Sequence, residues 1–235
     1  MEIKFELSNR KVTIYYPETH QKCIYVYTHQ EKHVYPFKTS NVVFVYIENN
    51  DYESDFTPYP HHAVFKGGRD FSGKADEYLN LLLRIVHKAE SDSGYPVERR
   101  ILAGYSLGGL FSLYATSKTD IFSEICCASA SFWYPDFTDY VKKHDFFFCR
   151  GYFSIGEKES KTKNPYLAKA YQQMMTVKKI LEERNHEIYF DLNEGGHFTD
   201  SVKRVDKGIW RLLNNTCMHF DDENEKRITK IKSEK

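Results

Sequence analysis

The sequence lacks an excess of charge of either sign, since its 235 residues include 33 lysines and arginines and 33 aspartates and glutamates. A chain with this balance has no strongly basic surface to attract nucleic acid or an anionic membrane. It also lacks any apolar run of about 18 residues, the minimum for a membrane-spanning helix. We therefore expect neither a nucleic-acid partner nor a membrane partner.

Cysteine is scarce and follows no metal-binding or disulfide pattern. The five cysteines are an odd number without a C-x-x-C pair, and Cys126 and Cys127 lie together in an apolar run. A disulfide framework is not expected, and reduced thiols fit a cytoplasmic protein. Met1 and the residues after it lack the apolar core of a signal peptide. His61 and His62 are adjacent with no partner cluster, so we also expect no metal ion.

Aromatic residues are plentiful, and apolar runs alternate with amphipathic stretches. A hairpin is predicted at 3–7 and 12–16, and strands at 23–27, 41–47, 125–129, 152–155 and 187–192. Helices are predicted at 75–90, 110–118, 164–183 and 199–213, while 48–74 is the longest irregular stretch. Such alternation predicts an α/β fold, with a mostly parallel central sheet, helices on both faces and an N-terminal antiparallel hairpin. We expect one domain over 1–220 and a charged, flexible tail over 221–235.

One motif stands out, because residues 104–109 read G-Y-S-L-G-G between an apolar run and a helix-compatible run. This strand, turn and helix order is the setting of a nucleophile elbow. Ser106 is therefore the predicted nucleophile, and the backbone N–H of Leu107 is a predicted oxyanion donor. In such a sharp turn, a Cβ atom at Gly104 or Gly108 is expected to collide with its neighbours.

A serine hydroxyl needs a base, and the candidates after Ser106 are His144, His186, His197 and His219. His197 follows a predicted strand, on a Gly-Gly turn that precedes a helix, which is where α/β sites are built. His186 precedes the same strand and would lie at the opposite edge. His197 is therefore the predicted base, and His144 and His219 lie in polar stretches.

An acid is needed to orient this base. The strand at 152–155 is followed by Glu157 and Glu159, either of which could reach His197. Asp136 and Asp139 are weaker candidates because they follow the preceding strand. A second oxyanion donor is expected from the backbone near His29, in the loop after the strand at 23–27.

Four stretches together resemble an esterase family of the α/β-hydrolases that includes esterase D, feruloyl esterases, enterochelin-type siderophore esterases and mycolyl transferases. They are D-F-T-P-Y-P at 55–60, G-Y-S-L-G-G at 104–109, S-A-S-F-W at 129–133 and G-G-H at 195–197. The resemblance covers about residues 10–213. It implies the α/β-hydrolase fold, with Ser106 as nucleophile and His197 as base.

The same resemblance implies an acid three residues after the glycine that ends its strand, which is Glu159, with Glu157 in reserve. Many relatives have aspartate there. The resemblance also implies that the 48–74 loop and three neighbouring aromatic residues line a substrate pocket; these are Phe132, Trp133 and Tyr134.

The expected function is that of a serine carboxylesterase that forms an acyl-enzyme on Ser106 and needs no cofactor. The substrate would be a small-molecule ester, for which aryl, siderophore and short acyl esters fit equally well. One alternative is an acyltransferase with the same intermediate. Another is a catalytically inactive binding domain that keeps the fold. The sequence does not indicate an oligomeric state.

Overall fold

The structure, a computed structural model, describes residues 1–19, 21–29, 41–49 and 51–214. The predicted tail at 221–235 lies outside these residues, as do His219, Cys217 and Gln30. Within them, no helix is long and apolar enough to cross a membrane.

Eight strands form one sheet in the order β1-β2-β4-β3-β7-β8-β9-β10. The pairs β1–β2 and β2–β4 are antiparallel, and every other pair in this sheet is parallel. A separate antiparallel ribbon joins two short strands, β5 and β6. The strands are β1 (Glu2–Leu7), β2 (Arg10–Tyr15), β3 (Cys23–Thr28), β4 (Val42–Ile47), β5 (Pro60–His61), β6 (Phe71–Ser72), β7 (Val97–Tyr105), β8 (Glu124–Ala128), β9 (Arg150–Gly156) and β10 (Glu187–Asn193).

The helices cover both faces of the sheet. Buried residues of α2, α3, α4 and α5 share one apolar cluster, and those of α6 belong to a second cluster across the sheet. The helices are α1 (Tyr52–Asp55), α2 (Ala75–Ser93), α3 (Leu107–Ala115), α4 (Phe137–Lys143), α5 (Ala170–Glu182) and α6 (Ser201–Asn214), with a 3-10 turn at Leu167–Lys169. The predicted fold class is confirmed, because the sheet is mostly parallel and carries an N-terminal antiparallel hairpin.

Burial explains why the central strands read as continuous apolar runs. Every residue of β3, β8 and β9 is buried, as expected of parallel strands that helices cover on both faces. Since β3, β7, β8, β9 and β10 run parallel, their carboxyl ends meet at one edge. The loops that follow these strands are therefore brought together at that edge, where α/β proteins build their sites.

Two local expectations need correction. A third is open in the sequence, because at least one of the apolar runs at 146–149 and 152–155 is expected to be a strand: the second is part of β9, whereas Phe146 and Phe148 pack into the core from a loop. Tyr171, expected on the buried face of its helix, is 43% exposed. The 48–74 stretch is not wholly irregular, because it contains α1 and the β5–β6 ribbon. In each case the outcome depends on tertiary packing, and the local periodicity of the sequence does not predict that packing.

The predicted helix start at Asn164 is present only in part. The Asn164 side chain accepts hydrogen bonds from the backbone N–H groups of Tyr166 and Leu167, at 3.0 and 3.2 Å. The turn that follows is 3-10, and the α-helix begins at Ala170. The cap therefore orders a short turn that leads into the helix.

Helix α6 lies unusually close to the sheet at Gly208. A Cβ atom at Gly208 would come within 2.5 Å of the Cys126 sulfur and closer still to the Tyr152 ring. Both neighbours are fully buried, so neither has space to move away. The missing side chain is thus what allows α6 to pack against β8 and β9.

We expect Gly208→Ala to lower the free energy of unfolding by about 1–3 kcal/mol, the usual cost of overpacking a dense core. Urea unfolding followed by circular dichroism measures this change. Gly196→Ala is the matched control, because its added methyl group would meet no atom within 4 Å. Equal stability of Gly208→Ala and the wild type would show that α6 can shift outward without cost.

Candidate active site

The turn between β7 and α3 holds Ser106 in a strained backbone conformation, with φ 56° and ψ −120°. Left-handed φ values are unfavourable for residues with a side chain, and they persist only where the surroundings impose them. Here the Ser106 N–H donates to the Ala128 carbonyl at 3.1 Å, and the Ser106 carbonyl accepts from Ser131 N–H at 3.0 Å. The turn is therefore fixed by the strand and loop beside it.

Two of the three glycines around Ser106 are needed for close backbone approach. A Cβ atom at Gly104 would overlap the carbonyl group of Gly108, and one at Gly109 would lie 2.8 Å from the Ala130 Cβ. The collision expected at Gly108 is not found, because the nearest atom outside its own helix turn would be the Phe56 ring at 3.7 Å. Gly104 and Gly109 are thus the residues that allow the turn.

Ser106, His197 and Glu159 form a continuous chain of hydrogen-bonding groups. The Ser106 Oγ lies 3.0 Å from His197 Nε2, and His197 Nδ1 lies 2.8 Å from Glu159 Oε2. An ionised carboxylate can only accept hydrogen bonds, so Nδ1 must carry the proton and Nε2 is left to accept the serine hydroxyl. This is the arrangement in which a histidine can remove a proton from serine.

The Glu159 carboxylate is buried but fully hydrogen-bonded. Its Oε1 atom accepts from Gly156 N–H at 2.6 Å, Arg204 Nη1 at 2.7 Å and Ser129 Oγ at 2.8 Å. Burial alone would raise the pKa of this carboxyl, but the hydrogen bond and charge of His197, with the Gly156 and Ser129 hydrogen bonds, outweigh it. The pKa of Glu159 is therefore lowered, and the group is ionised at neutral pH.

The other acid candidates lie elsewhere. Glu157 is exposed, and its carboxylate lies 3.7 Å from the Lys158 ammonium. Asp136 and Asp139 belong to the start of α4 and line a different cavity. Of the two glutamates that the sequence left open, Glu159 is the one that contacts His197.

The other two candidate bases in the described part of the chain, His144 and His186, are held by contacts away from Ser106. His144 Nδ1 lies 2.9 Å from the Tyr140 carbonyl, and His186 Nδ1 lies 2.7 Å from the Phe148 carbonyl. Neither residue lines the cleft that contains Ser106. His197 occupies the turn after β10 and is the histidine that reaches the serine hydroxyl.

Leu107 is the first residue of α3 and lines the cleft beside Ser106. The first N–H groups of a helix have no partner within it and carry the positive end of its dipole. The Leu107 N–H thus lies at the N-terminal end of a helix beside Ser106, and its role as an oxyanion donor stays a prediction.

His29, near which a second donor was expected, follows β3 and also lines the cleft. Its ring packs against Phe56 and Phe111, with centroids 4.6 and 5.9 Å away. Burial lowers the pKa of His29 to about 3, so its imidazole is neutral. Gln30, the next residue, lies outside the described part of the chain, and a second oxyanion donor here stays a prediction.

The cleft over Ser106 has a volume of about 540 Å³ and a largely aromatic wall. The 48–74 stretch supplies much of this wall. Apart from His29, Glu159, His197 and the elbow residues 105–108, the residues that line the cleft are Tyr52, Glu53, Phe56, Phe65, Gly68, Arg69, Phe71, Trp133, Leu167, Ala170, Phe198 and Ser201. Arg69 forms ion pairs with Glu53 at 2.6 Å and with Asp51 at 3.4 Å at this end of the cleft.

Only one of the three predicted aromatic lining residues reaches the cleft, which is Trp133. Phe132 is fully buried in the core, where it stacks on Phe137 at a centroid distance of 5.7 Å. Tyr134 is 2% exposed, its hydroxyl donates to the Tyr59 carbonyl at 2.6 Å, and it borders a separate cavity of about 520 Å³. Consecutive side chains of this turn point in different directions, so adjacency in sequence does not place them on one wall.

Several residues at the site were not anticipated. Ser131 Oγ lies 3.2 Å from Ser106 Oγ, and the Tyr105 hydroxyl donates to the His197 carbonyl. Phe198 is 93% exposed at the mouth of the cleft. Arg204 interrupts the apolar stripe of α6, and a charge on the buried face of a helix is a signal that the sequence did contain.

The described residues contain no group of three or more histidine, cysteine, aspartate or glutamate side chains placed to hold a metal ion. The buried thiols of Cys126 and Cys127 belong to the core of β8, and burial raises the pKa of each.

No family model matches the sequence, and no curated protein matches it at a significant level. Solved structures do match. An IroE-like serine hydrolase from Shewanella oneidensis is 17% identical, with a TM-score of 0.72 over 94% of this chain and 82% of that chain. Siderophore hydrolase EstA from Aspergillus nidulans is 14% identical, with a TM-score of 0.68 over 92% of this chain and 95% of that chain.

The chain has the α/β-hydrolase fold. The enterobactin esterase Fes from Shigella flexneri shares it as well, at 19% identity and a TM-score of 0.65, over 91% of this chain and 59% of that longer chain. The resemblance to esterases of this class is thus confirmed at the level of the fold. At such low identity, the arrangement of the site must carry any argument about activity.

We expect Glu159→Gln to slow the reaction of Ser106 with a fluorophosphonate by about 10²- to 10⁴-fold. An amide in place of the carboxylate would favour the wrong tautomer of His197 and would not stabilise its protonated form. Mass spectrometry of the labelled peptide over time measures the rate. Glu157→Gln is the matched control and should react like the wild type; an equal loss in both variants would refute the assignment of the acid.

The lowered pKa of Glu159 predicts a dependence of stability on pH. A depressed carboxyl pKa stabilises the fold above about pH 4.3, the pKa of an unfolded glutamate, and this contribution is lost as the pH falls through the folded-state pKa. Between about pH 4.3 and the lower folded-state pKa, we expect the free energy of unfolding to fall more steeply with decreasing pH in the wild type than in Glu159→Gln. Urea unfolding at several pH values tests this, with Glu157→Gln expected to keep the wild-type slope. Parallel curves for all three proteins would contradict it.

Proposed function

We propose that this protein is a serine esterase that hydrolyses a small-molecule ester through an acyl-enzyme on Ser106. The observation that carries the proposal is the pair of contacts at His197, 3.0 Å from Ser106 Oγ and 2.8 Å from Glu159 Oε2, at the base of an open cleft. The proposal is also supported by the fold that this chain shares with an IroE-like serine hydrolase, a siderophore hydrolase and an enterobactin esterase.

The first half of the reaction transfers the acyl group to the enzyme. Ser106 Oγ attacks the ester carbonyl carbon while His197 Nε2 takes the hydroxyl proton. The Leu107 N–H and a second backbone donor near His29 would hold the oxyanion that forms. Collapse of this intermediate breaks the bond to the alcohol, which leaves with the proton from His197.

The second half returns the enzyme to its starting state. A water molecule attacks the acyl-enzyme and gives its proton to His197 Nε2. The bond to Ser106 then breaks, and the serine oxygen takes back that proton. Glu159 stays ionised throughout and stabilises the protonated imidazole, which the low pKa of its carboxyl permits.

The wall of the cleft supports an ester with an aromatic or apolar part. Phe56, Phe65, Trp133 and Phe198 all line it, and the charged group of Arg69 at its edge is paired with carboxylates. Aromatic rings stack favourably on such side chains. Aryl esters and siderophore-type esters suit this wall better than short aliphatic acyl esters.

We expect Ser106→Ala to lower kcat by about 10⁴- to 10⁶-fold on an ester panel that includes aryl, siderophore-type and short acyl substrates. Ser91→Ala, which changes an exposed serine on α2, is the control and should retain activity. Mass mapping should place a fluorophosphonate on Ser106 in the wild type and not in His197→Ala.

Product analysis with and without an added alcohol separates hydrolysis from acyl transfer. Free acid as the main product in both cases supports the esterase, whereas preferential transfer to the alcohol would favour the acyltransferase. Retained activity in Ser106→Ala would refute the mechanism. Failure to label Ser106 in the wild type would favour a binding domain without activity.

A further inference from the structure

Helix α6 buries two charged side chains, Arg204 and Asp206, and the Arg204 guanidinium lies directly beneath the catalytic groups. Arg204 is 3% exposed and lies on the same face of α6 as Gly208 and Leu212, which pack against the sheet. Burying an arginine is costly unless its charge and donors are matched. The partners that it contacts therefore indicate what it does.

The two ends of the Arg204 guanidinium bind two different catalytic segments. Its Nη1 donates to Glu159 Oε1 at 2.7 Å and to Ser129 Oγ at 2.8 Å. Its Nη2 donates to the backbone carbonyls of Glu194 at 2.8 Å and Gly196 at 3.0 Å. Glu194 and Gly196 belong to the turn that carries His197, so one planar group touches both the acid and the segment that holds the base.

We propose that Arg204 is a positioning residue that fixes Glu159 and the His197 turn relative to each other. This inference rests on the proposed function, since it concerns the same three catalytic groups. The guanidinium is rigid and planar, so its two edges set the distance between the segments that follow β9 and β10. Arg204 does not line the cleft, so it acts on the reaction through Glu159 and His197 rather than on the substrate.

If Arg204 only stabilised the fold, its substitution would lower stability without changing the chemistry at Ser106. Arg150 is another buried arginine, 1% exposed, and it pairs with Glu124 at the opposite end of β9. Substituting either arginine would remove one charged partner from a buried carboxylate and destabilise the fold, although Glu124 would keep Arg99 and Glu159 would keep His197. Only the Arg204 substitution should also change the chemistry at Ser106, which makes Arg150→Gln the matched control.

Arg204→Gln should lower kcat by about 10²-fold, the usual effect of a small misplacement of catalytic groups, and leave KM unchanged. It should also move the acid limb of the Ser106 labelling rate to higher pH. The charged group facing the Glu159–His197 pair is Arg204, and the Tyr105 phenol adds a neutral neighbour. Loss of the positive charge favours protonation of the pair, which inactivates it.

The experiment measures kcat, KM and the pH profile of fluorophosphonate labelling for wild type, Arg204→Gln, Arg204→Lys and Arg150→Gln, with thermal unfolding alongside. Arg204→Lys keeps the charge, but an ammonium cannot contact both segments, so its acid limb should stay in place while kcat falls. Arg150→Gln should unfold at lower temperature and keep the wild-type pH profile. NMR detection of the His197 Nδ1 proton, absent in His197→Ala, reports the bond to Glu159 without any substrate.

A folded Arg204→Gln with wild-type kcat, acid limb and Nδ1 resonance would overturn the inference, as would an equal change in Arg150→Gln. If Arg204→Gln does not fold, Arg204→Lys decides: unchanged kcat overturns the inference and a reduced kcat supports it. If wild-type Ser106 is not labelled, the proposed function fails, and the Nδ1 resonance of the variants still tests the positioning role. If wild-type Ser106 is labelled and the Arg204 variants behave like the wild type, the positioning role of Arg204 is refuted and the proposed function is not.

Discussion

The close approach of backbone at Gly104 is the constraint on which the site depends. Because no side chain separates it from the Gly108 carbonyl, β7 can turn directly into α3. That turn holds Ser106 at a φ of 56°, and its backbone hydrogen bonds to Ala128, Ser131 and Leu110 help to maintain this conformation. The same turn places the first amide of α3 beside the serine hydroxyl. The proposed nucleophile and the proposed oxyanion donor thus depend on the same close backbone approach.

The proposed acid and base, Glu159 and His197, are instead held by a buried network of hydrogen-bonded polar groups. Glu159 gains hydrogen bonds from β9, from the loop after β8 and from α6, so its charge is stabilised although water is excluded. A half-satisfied network would be worse than an apolar core, because an unpaired buried charge is costly. Elements distant in sequence must therefore assemble together before Glu159 can hold His197.

Local pattern was sufficient for features that depend on neighbouring residues. The G-Y-S-L-G-G stretch has strand before it and helix after it, and the Gly-Gly turn that presents His197 follows a strand, as both motifs require. The alternation of apolar runs likewise predicted the mostly parallel sheet. Where several residues in a short loop were candidates, pattern could not choose: Glu157 and Glu159 are two residues apart, yet one is in water and the other is buried.

The sequence by itself determined the alternation of the main strands and helices, although not α1, α4 or the β5–β6 ribbon. It also determined the elbow serine and the histidine on its turn, since each follows from short-range sterics and periodicity. Only the tertiary structure decided that Glu159 faces His197, that Trp133 lines the cleft while Phe132 and Tyr134 do not, and that Arg204 contacts both Glu159 and the turn that carries His197. These outcomes depend on which side chains meet across the sheet. Residues 45 positions apart along the chain, such as Glu159 and Arg204, come into contact only once the layers have packed.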